Sequence, residues 1–205
     1  MTKQADQVVK ETYRYFYVDG LVETAVGLLF VGVGGMLLAW MALSTGSWLH
    51  VLAALALPLL TFGGGLIIKR VVQNLKERIT YPRTGYVAYR DGQPGGGRWL
   101  IVGAALGLAL LLFVVPAWLN KMPAVIGALL LVILVYMGYR VSLWRFYLFG
   151  AAALVLGVAL AWLLADELLG AALTFIGVGA VMTVAGTAVF LNYLRRHPQA
   201  DEAVA

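Results

Sequence analysis

The sequence feature that most limits what this chain can fold into is a run of forty-five residues, between Glu23 and Lys69, that contains no Lys, Arg, Asp or Glu. One helix crosses the roughly 30 Å hydrocarbon core of a bilayer with about 20 apolar residues, so this run is long enough for two crossings. The polar string Ser44-Thr45-Gly46-Ser47 is the place where the chain is expected to turn. We therefore predict transmembrane helices over residues 20–43 and 47–68.

Four further uncharged segments, 99–120, 122–139, 146–165 and 168–194, predict four more spans. No segment alternates apolar and polar residues as a transmembrane β-strand does, so the predicted fold class is all-α. A composition with 62% hydrophobic and 12% charged residues excludes a water-soluble globular domain. The sequence thus predicts a polytopic membrane bundle of six transmembrane helices arranged as three hairpins, with amphipathic cytoplasmic segments. The predicted parts are an N-terminal segment (1–19), a first hairpin (20–68), a basic loop (69–98), a second hairpin (99–139), a turn with a third hairpin (140–194) and a tail (195–205).

The basic residues of the chain predict its orientation. With six spans, fourteen of the fifteen Lys and Arg residues lie on the same side as both termini, and only Lys121 lies on the other. By the positive-inside rule both termini are cytoplasmic, which predicts a multi-pass protein of the plasma (inner) membrane. The net charge of +5 is explained by basic residues next to anionic lipid, so we expect no nucleic-acid partner.

Catalytic and metal-binding patterns are missing from the sequence. The chain has no cysteine, no Gly-x-Ser-Gly motif of an intramembrane serine protease is present, and Ser44, Ser47 and Ser142 lie at predicted turns. His50 lies beside Trp48 and is typical of an interfacial residue, since a metal would need further ligands from Asp166 and Glu167. We therefore expect no enzyme activity, no catalytic residue, no cofactor and no metal.

The basic loop is the richest polar segment of the protein. Apolar residues recur at helical spacing from Leu66 to Ile79 with charged residues between them, which predicts an amphipathic extension of the second helix along the headgroups. This helix is expected to stop at Tyr81, because Pro82 disfavours helix in the residue before it. Arg and Tyr side chains of this region are the predicted contacts for anionic lipid or a partner subunit: Arg78, Tyr81, Arg83, Tyr86, Tyr89 and Arg90. The alternative is a connector anchored in the lipid interface.

Asp19 and Glu23 are four residues apart at the start of the first span, so they share one helix face. One interpretation is structural: Asp19 caps the helix, and Glu23 is a first-turn charge paired with Lys10, Arg14 or an arginine of a neighbouring loop. The other interpretation makes the two acids a proton or cation site at a cytoplasmic entrance, because acids inside membrane spans often mark pathways.

Two patterns concern helix shape and packing. Pro58 and the glycines at 63–65 predict a kinked or partly unwound second helix. Small residues spaced by four predict ridges that join the hairpins, or a homodimer interface: Gly103 and Gly107; Ala153, Gly157 and Ala161; Gly179, Thr183 and Thr187.

These patterns favour an accessory or interaction protein that contacts a partner subunit or anionic lipid through its basic, Tyr-rich cytoplasmic face. The alternative is a small transporter of a neutral or weakly acidic molecule that uses Glu23 at a cytoplasmic entrance.

Overall fold

The computed structural model describes residues 17–80 and 121–196. Within these two ranges the chain is 89% helical and contains no strand, so the all-α prediction is confirmed. The predicted span over 99–120, with its glycine ridge, lies outside the described residues, as do residues 1–16, 81–98 and 197–205.

Six α-helices follow one another in the described ranges: α1 (Leu21–Ala42), α2 (Trp48–Pro58), α3 (Gly64–Leu75), α4 (Met122–Val141), α5 (Arg145–Leu163) and α6 (Glu167–Arg196). A π-helical turn (Leu59–Gly63) joins α2 to α3, and a second one (Lys76–Thr80) follows α3. Four of the helices, α1, α4, α5 and α6, are long and apolar enough to cross a membrane, and the bent segment from α2 to Thr80 would make a fifth span within the described part of the chain.

The second predicted span bends by 52° between Trp48–Thr61 and Gly64–Thr80. Pro58 is the last residue of α2 and has no backbone N–H to donate, and the π-helical turn begins directly after it. The Thr61 hydroxyl donates to the carbonyl oxygens of Leu57 and Pro58, each at 3.0 Å, and so satisfies carbonyls at the break. The kink predicted from Pro58 and the glycines is therefore present.

Helices α1 and α6 are antiparallel and pack through small residues spaced by seven. On α1 these are Gly27 and Gly34, and facing them on α6 are Gly179 and Ala172. A Cβ added to Gly27 would lie 2.6 Å from the Gly179 carbonyl oxygen, and one added to Gly34 would lie 2.5 Å from that of Ala172. A Cβ added to Gly20, seven residues before Gly27, would likewise clash with the Gly186 carbonyl oxygen. The two backbones thus touch along the interface, as small residues permit.

Helices α4 and α5 form the second close pair. A Cβ added to Gly127 would lie 2.5 Å from the Ala153 carbonyl oxygen, and Gly157 packs beside Gly127. Ala153, Gly157 and Ala161 are all buried, so the ridge predicted on this helix does face a neighbouring helix. The apolar core lies where this pair meets α6, and its buried members are Leu130, Leu134, Phe146, Phe149, Ala153, Val178 and Met182.

The order of packing follows from these contacts. Helix α6 has thirty residues and lies between α1 on one side and the α4–α5 pair on the other. At 1.5 Å per residue it is about 45 Å long, so it extends beyond a bilayer core. Within the described ranges, the bent α2–α3 segment packs against α1 alone.

Candidate functional site: a buried charge network

Asp19 lies just before α1 and is buried with Lys76 as its partner. The Lys76 Nζ is 2.7 Å from Asp19 Oδ2, and each side chain is 2% exposed. Asp19 Oδ1 accepts a hydrogen bond from the backbone N–H of Leu21 at 3.2 Å, and Oδ2 accepts one from the Thr80 hydroxyl at 3.4 Å. Both carboxylate oxygens of Asp19 are therefore satisfied.

Glu23, one helical turn further along α1, is paired with Arg145. The distance from Arg145 Nη2 to Glu23 Oε1 is 2.8 Å, and the Glu23 side chain is fully buried while that of Arg145 is 16% exposed. The same Arg145 nitrogen donates to the backbone carbonyl of Tyr17. The two charges are close, but neither Glu23 oxygen makes an aligned hydrogen bond within the described part of the chain, and Arg145 Nε makes none there either.

We call Asp19, Glu23, Lys76 and Arg145 the charge network, and the end of the bundle that contains them the charged end. With all four groups ionised the network has no net charge. It joins three elements, because its acids belong to the start of α1, Lys76 begins the second π-helical turn and Arg145 begins α5. Buried charges must be paired to be tolerated, so these ion pairs fix which helix ends meet here.

Local sequence explains how Lys76 reaches a buried position. Gly64, Ile68, Val72 and Lys76 recur every four residues, which places them on one face of the helix. Gly64 and Val72 are buried, Ile68 is half-buried, and Lys76 extends the same face to Asp19.

Asp19 and Glu23 lie in one network but not on one helix face, because α1 begins at Leu21 and its N-cap residue Gly20 has a left-handed backbone with φ of 78°. Asp19 accepts the backbone N–H of Leu21 from the position before the N-cap residue Gly20, and the arginine that pairs with Glu23 is Arg145. Lys10 and Arg14, the other predicted partners, lie outside the described residues. Lys76 was not predicted as a partner; its four-residue spacing from Val72 is a signal that the two share a helix face, but it does not identify Asp19.

Of the predicted lipid or partner contacts, the structure describes Arg78 alone, which is exposed. The others, Tyr81, Arg83, Tyr86, Tyr89 and Arg90, lie outside the described residues.

Near Arg78 the bent segment has an exposed surface on which two rows of side chains run in parallel. The apolar stripe consists of Ile67, Val71 and Leu75, which are 62%, 47% and 37% exposed. The polar row beside it, again at a spacing of four, consists of Arg70, Asn74 and Arg78, all exposed. We refer to it as the arginine row.

At the opposite end of the bundle, Lys121 donates to the Ala161 carbonyl oxygen at 2.9 Å and lies 5.0 Å above the centre of the Trp162 ring. His50 stacks on Trp40 with ring centres 4.9 Å apart. In the two described ranges, no group of three or more His, Asp and Glu side chains is placed to hold a metal ion.

The long apolar helices are those of an α-helical membrane protein, and buried ion pairs join its elements at one end of the bundle. Comparison of the chain with protein-family models, with curated proteins and with solved structures finds no match.

Proposed function

We propose that the chain crosses the inner membrane six times and has both termini in the cytoplasm. Thr80 lies at the charged end beside Asp19, whereas Lys121 lies beside Ala161 near the far end of α5. Six spans require one crossing between Thr80 and Lys121, and the uncharged stretch 99–120 is the span predicted to provide it. The positive-inside rule favours the charged end as the cytoplasmic one.

We further propose that the protein associates with anionic lipid headgroups of the cytoplasmic leaflet through the apolar stripe and the arginine row. The single observation that supports this function is the parallel course of the two rows on one exposed helix surface. A helix with apolar side chains beside arginines is suited to the boundary between acyl chains and headgroups. Ile67 and Val71 would insert among acyl chains while Arg70 and Arg78 contact phosphates, because a guanidinium binds phosphate with two parallel N–H groups.

The charge of this segment supports an anionic partner. Lys69, Arg70 and Arg78 are exposed, and Glu77 is the exposed acid among them. Lys76 contributes nothing to this surface because it is buried with Asp19. Each basic residue close to an anionic leaflet contributes about 1 kcal/mol, so the loss of two arginines is expected to weaken lipid binding roughly 30-fold.

The test is lipid retention measured by native mass spectrometry. The wild-type protein and the double variant Arg70→Gln/Arg78→Gln are purified with mixed phosphatidylglycerol and phosphatidylcholine and then stripped of lipid in steps. We expect the wild type to retain phosphatidylglycerol selectively and the variant to lose that selectivity. Arg195→Gln/Arg196→Gln removes the same charge from the end of α6 and is the matched control.

Equal loss of phosphatidylglycerol in both double variants would contradict a role for this surface. The same spectrometer distinguishes the other partner considered above, a protein subunit. A foreign polypeptide bound in a fixed ratio after gentle extraction from native membranes, and lost in Arg70→Gln/Arg78→Gln alone, would replace lipid by protein as the partner of the rows.

Transport is a second candidate, and it is favoured by the complete burial of Glu23 without an aligned hydrogen bond. Intramembrane acids of this kind occur in proton-coupled pathways. The purified protein in liposomes, with an imposed pH gradient and an entrapped pH-sensitive dye, measures proton flux directly. Transport predicts flux that Glu23→Gln abolishes and Arg70→Gln/Arg78→Gln leaves intact, whereas a lipid-binding protein gives no flux above that of empty liposomes.

A further inference from the structure

The two acids of the charge network differ in how well their oxygens are satisfied. Asp19 receives the Lys76 ammonium, the Leu21 N–H and the Thr80 hydroxyl. Glu23 is equally buried, yet it has one cation at 2.8 Å and no aligned hydrogen bond to either oxygen in the described ranges. We propose that Glu23 is a proton-binding site of this protein, and that proton uptake there releases Arg145 from α1. The proposal does not rest on lipid binding.

Hydrogen bonding explains why the proton goes to Glu23 and not to Asp19. An ionised carboxylate offers about four acceptor positions, and leaving them empty in a buried place is costly. Protonation of Glu23 removes the charge and turns one oxygen into a donor, so the burial of unsatisfied acceptors is relieved. Protonation of Asp19 would instead break an ion pair with two supporting hydrogen bonds and leave the ammonium of Lys76 buried without its carboxylate.

The groups around Glu23 come from each element packed on this part of α1. Asp19 precedes it on the same chain segment, Lys76 faces it from the second π-helical turn, and Arg145 faces it from α5. The α6 residues that pack against Gly20 here, Gly186 and Val189, are uncharged. The network therefore changes from no net charge to +1 when a proton from water at the charged end binds to a Glu23 oxygen.

Arg145 is the group that can respond to this change. Its side chain is already 16% exposed, and a long arginine can turn its guanidinium toward water or headgroups while its stem stays in place. The Glu23–Arg145 pair joins α1 to the start of α5, whereas the Asp19–Lys76 pair joins α1 to the end of the α3 segment. Proton uptake is thus expected to loosen the first junction, where Arg145 then keeps its hydrogen bond to the Tyr17 carbonyl without the Glu23 charge, and to leave the second closed.

Infrared spectroscopy of the protein in phosphatidylcholine–phosphatidylglycerol nanodiscs tests the proton site. Carbon-13 labelling of glutamate shifts the C=O stretch of its protonated carboxyl group away from that of aspartate. As the pH is lowered, we expect the wild type to develop a band from a buried glutamic acid. The band should also form in the control Glu77→Gln, which changes an exposed glutamate, and should be missing in Glu23→Gln. The proposal is overturned if Glu23→Gln retains the band, or if the wild type never shows it.

Sodium chloride added at constant pH separates a proton site from a metal-cation site. The band should not respond to Na⁺, and its loss on Na⁺ addition would show that Na⁺ displaces the proton and would overturn a site specific for protons. If Glu23→Gln does not fold, the double variant Glu23→Gln/Arg145→Gln removes both charges together and leaves no unpaired arginine. It should lack the band in the same way, and a retained band would reject Glu23 as the site.

The release of Arg145 is tested by distance measurement. Because the chain has no cysteine, spin labels can be placed at Val18→Cys and Trp144→Cys without background. Both positions are exposed and flank the α1–α5 junction. We expect the distance distribution to broaden on acidification in the wild type and to be broad at every pH in Glu23→Gln. A distribution that ignores pH in the wild type, or that still follows pH in Glu23→Gln, would contradict the coupling.

Discussion

Asp19 and Lys76 illustrate how a charged pair can be kept in an apolar bundle. Each side chain is 2% exposed, and their charged atoms are 2.7 Å apart. Removing both partners from such a site is often tolerated, whereas removing one leaves a buried charge without its partner. The two kinds of variant are therefore expected to behave differently, and this difference can be measured.

We predict that Asp19→Asn lowers the free energy of unfolding by about 3 kcal/mol, because Lys76 loses its carboxylate in a buried position. Denaturant titration in mild detergent measures this change. Adding Lys76→Met to Asp19→Asn should recover a large part of the loss, since no ammonium is then buried. Glu77→Gln, at an exposed position of the same segment, should change stability by less than about 0.5 kcal/mol. A double variant as unstable as Asp19→Asn alone would mean that the pair is not what stabilises this end.

The sequence predicted Asp19 and Glu23 on one helix face, but Gly20 has a left-handed backbone and α1 begins only at Leu21, so Asp19 joins the network from before the helix. The sequence did not identify Lys76, which was grouped with the exposed charges of an amphipathic helix. The partner of a buried charge depends on which helices are neighbours, and apolar spans of similar composition do not specify that. Arg145 is 122 positions away from Glu23 along the chain, and no local pattern links two such distant residues.

At the level of helices, the positions of four spans followed from where charges stop and start. The span predicted over 20–43 corresponds to helix Leu21–Ala42, and the span predicted over 168–194 corresponds to helix Glu167–Arg196.

The faces through which these helices pack were harder to predict than their positions. The ridge with a spacing of four was predicted at Gly179, Thr183 and Thr187, and its first two members do contact Gly27 of α1. The same interface continues through Ala172 and Gly186, at a spacing of seven from Gly179, and the sequence alone does not tell how far a small-residue face extends along a neighbour.

The glycine interface makes an element-level prediction with a control in the same helix. Gly27→Ala places a Cβ 2.6 Å from the Gly179 carbonyl oxygen, a backbone atom that cannot move aside easily. Gly35→Ala is eight residues further along α1, and its Cβ meets nothing within 4 Å among the described residues. We expect Gly27→Ala to destabilise the protein by about 1–3 kcal/mol and Gly35→Ala to be neutral or mildly stabilising.

Unfolding in a denaturing detergent, followed by circular dichroism, compares the two alanine variants under one condition. The comparison separates the effect on stability of the close backbone contact at Gly27 from the effect of replacing a glycine by alanine. Equal stability of the two variants would show that α1 and α6 are not held together at this contact.

At the level of the whole molecule, exposed tryptophans mark two levels of the bundle. Trp144 and Trp162 are 71% and 79% exposed and flank α5 at its two ends. They are eighteen positions apart, which corresponds to about 27 Å of helix and is close to the thickness of a bilayer core. Trp48 is 70% exposed and begins α2, just after the turn that ends α1. Tryptophans at these positions are typical of residues at membrane–water interfaces.

The proposed six-span topology is tested with single cysteines in the naturally cysteine-free chain. A membrane-impermeant thiol reagent applied to intact cells should label Thr45→Cys, Met122→Cys and Ala165→Cys, and should reach Glu77→Cys and Ser142→Cys only after the membrane is opened. All five positions are exposed in the structure. Labelling of the last two in opened membranes is the control that their thiols can react.

The pair Glu77→Cys and Met122→Cys decides the topology. If these two thiols are accessible from opposite sides, the chain crosses the membrane an odd number of times between residues 77 and 122. A single span over 99–120 meets this requirement. No second uncharged run long enough for a span lies between the two positions. Equal accessibility would remove that span and leave an odd number of crossings in total, so the two termini would face opposite sides. The charged end would then still contain Asp19 and Lys76, but the positive-inside argument that places it in the cytoplasm would fail.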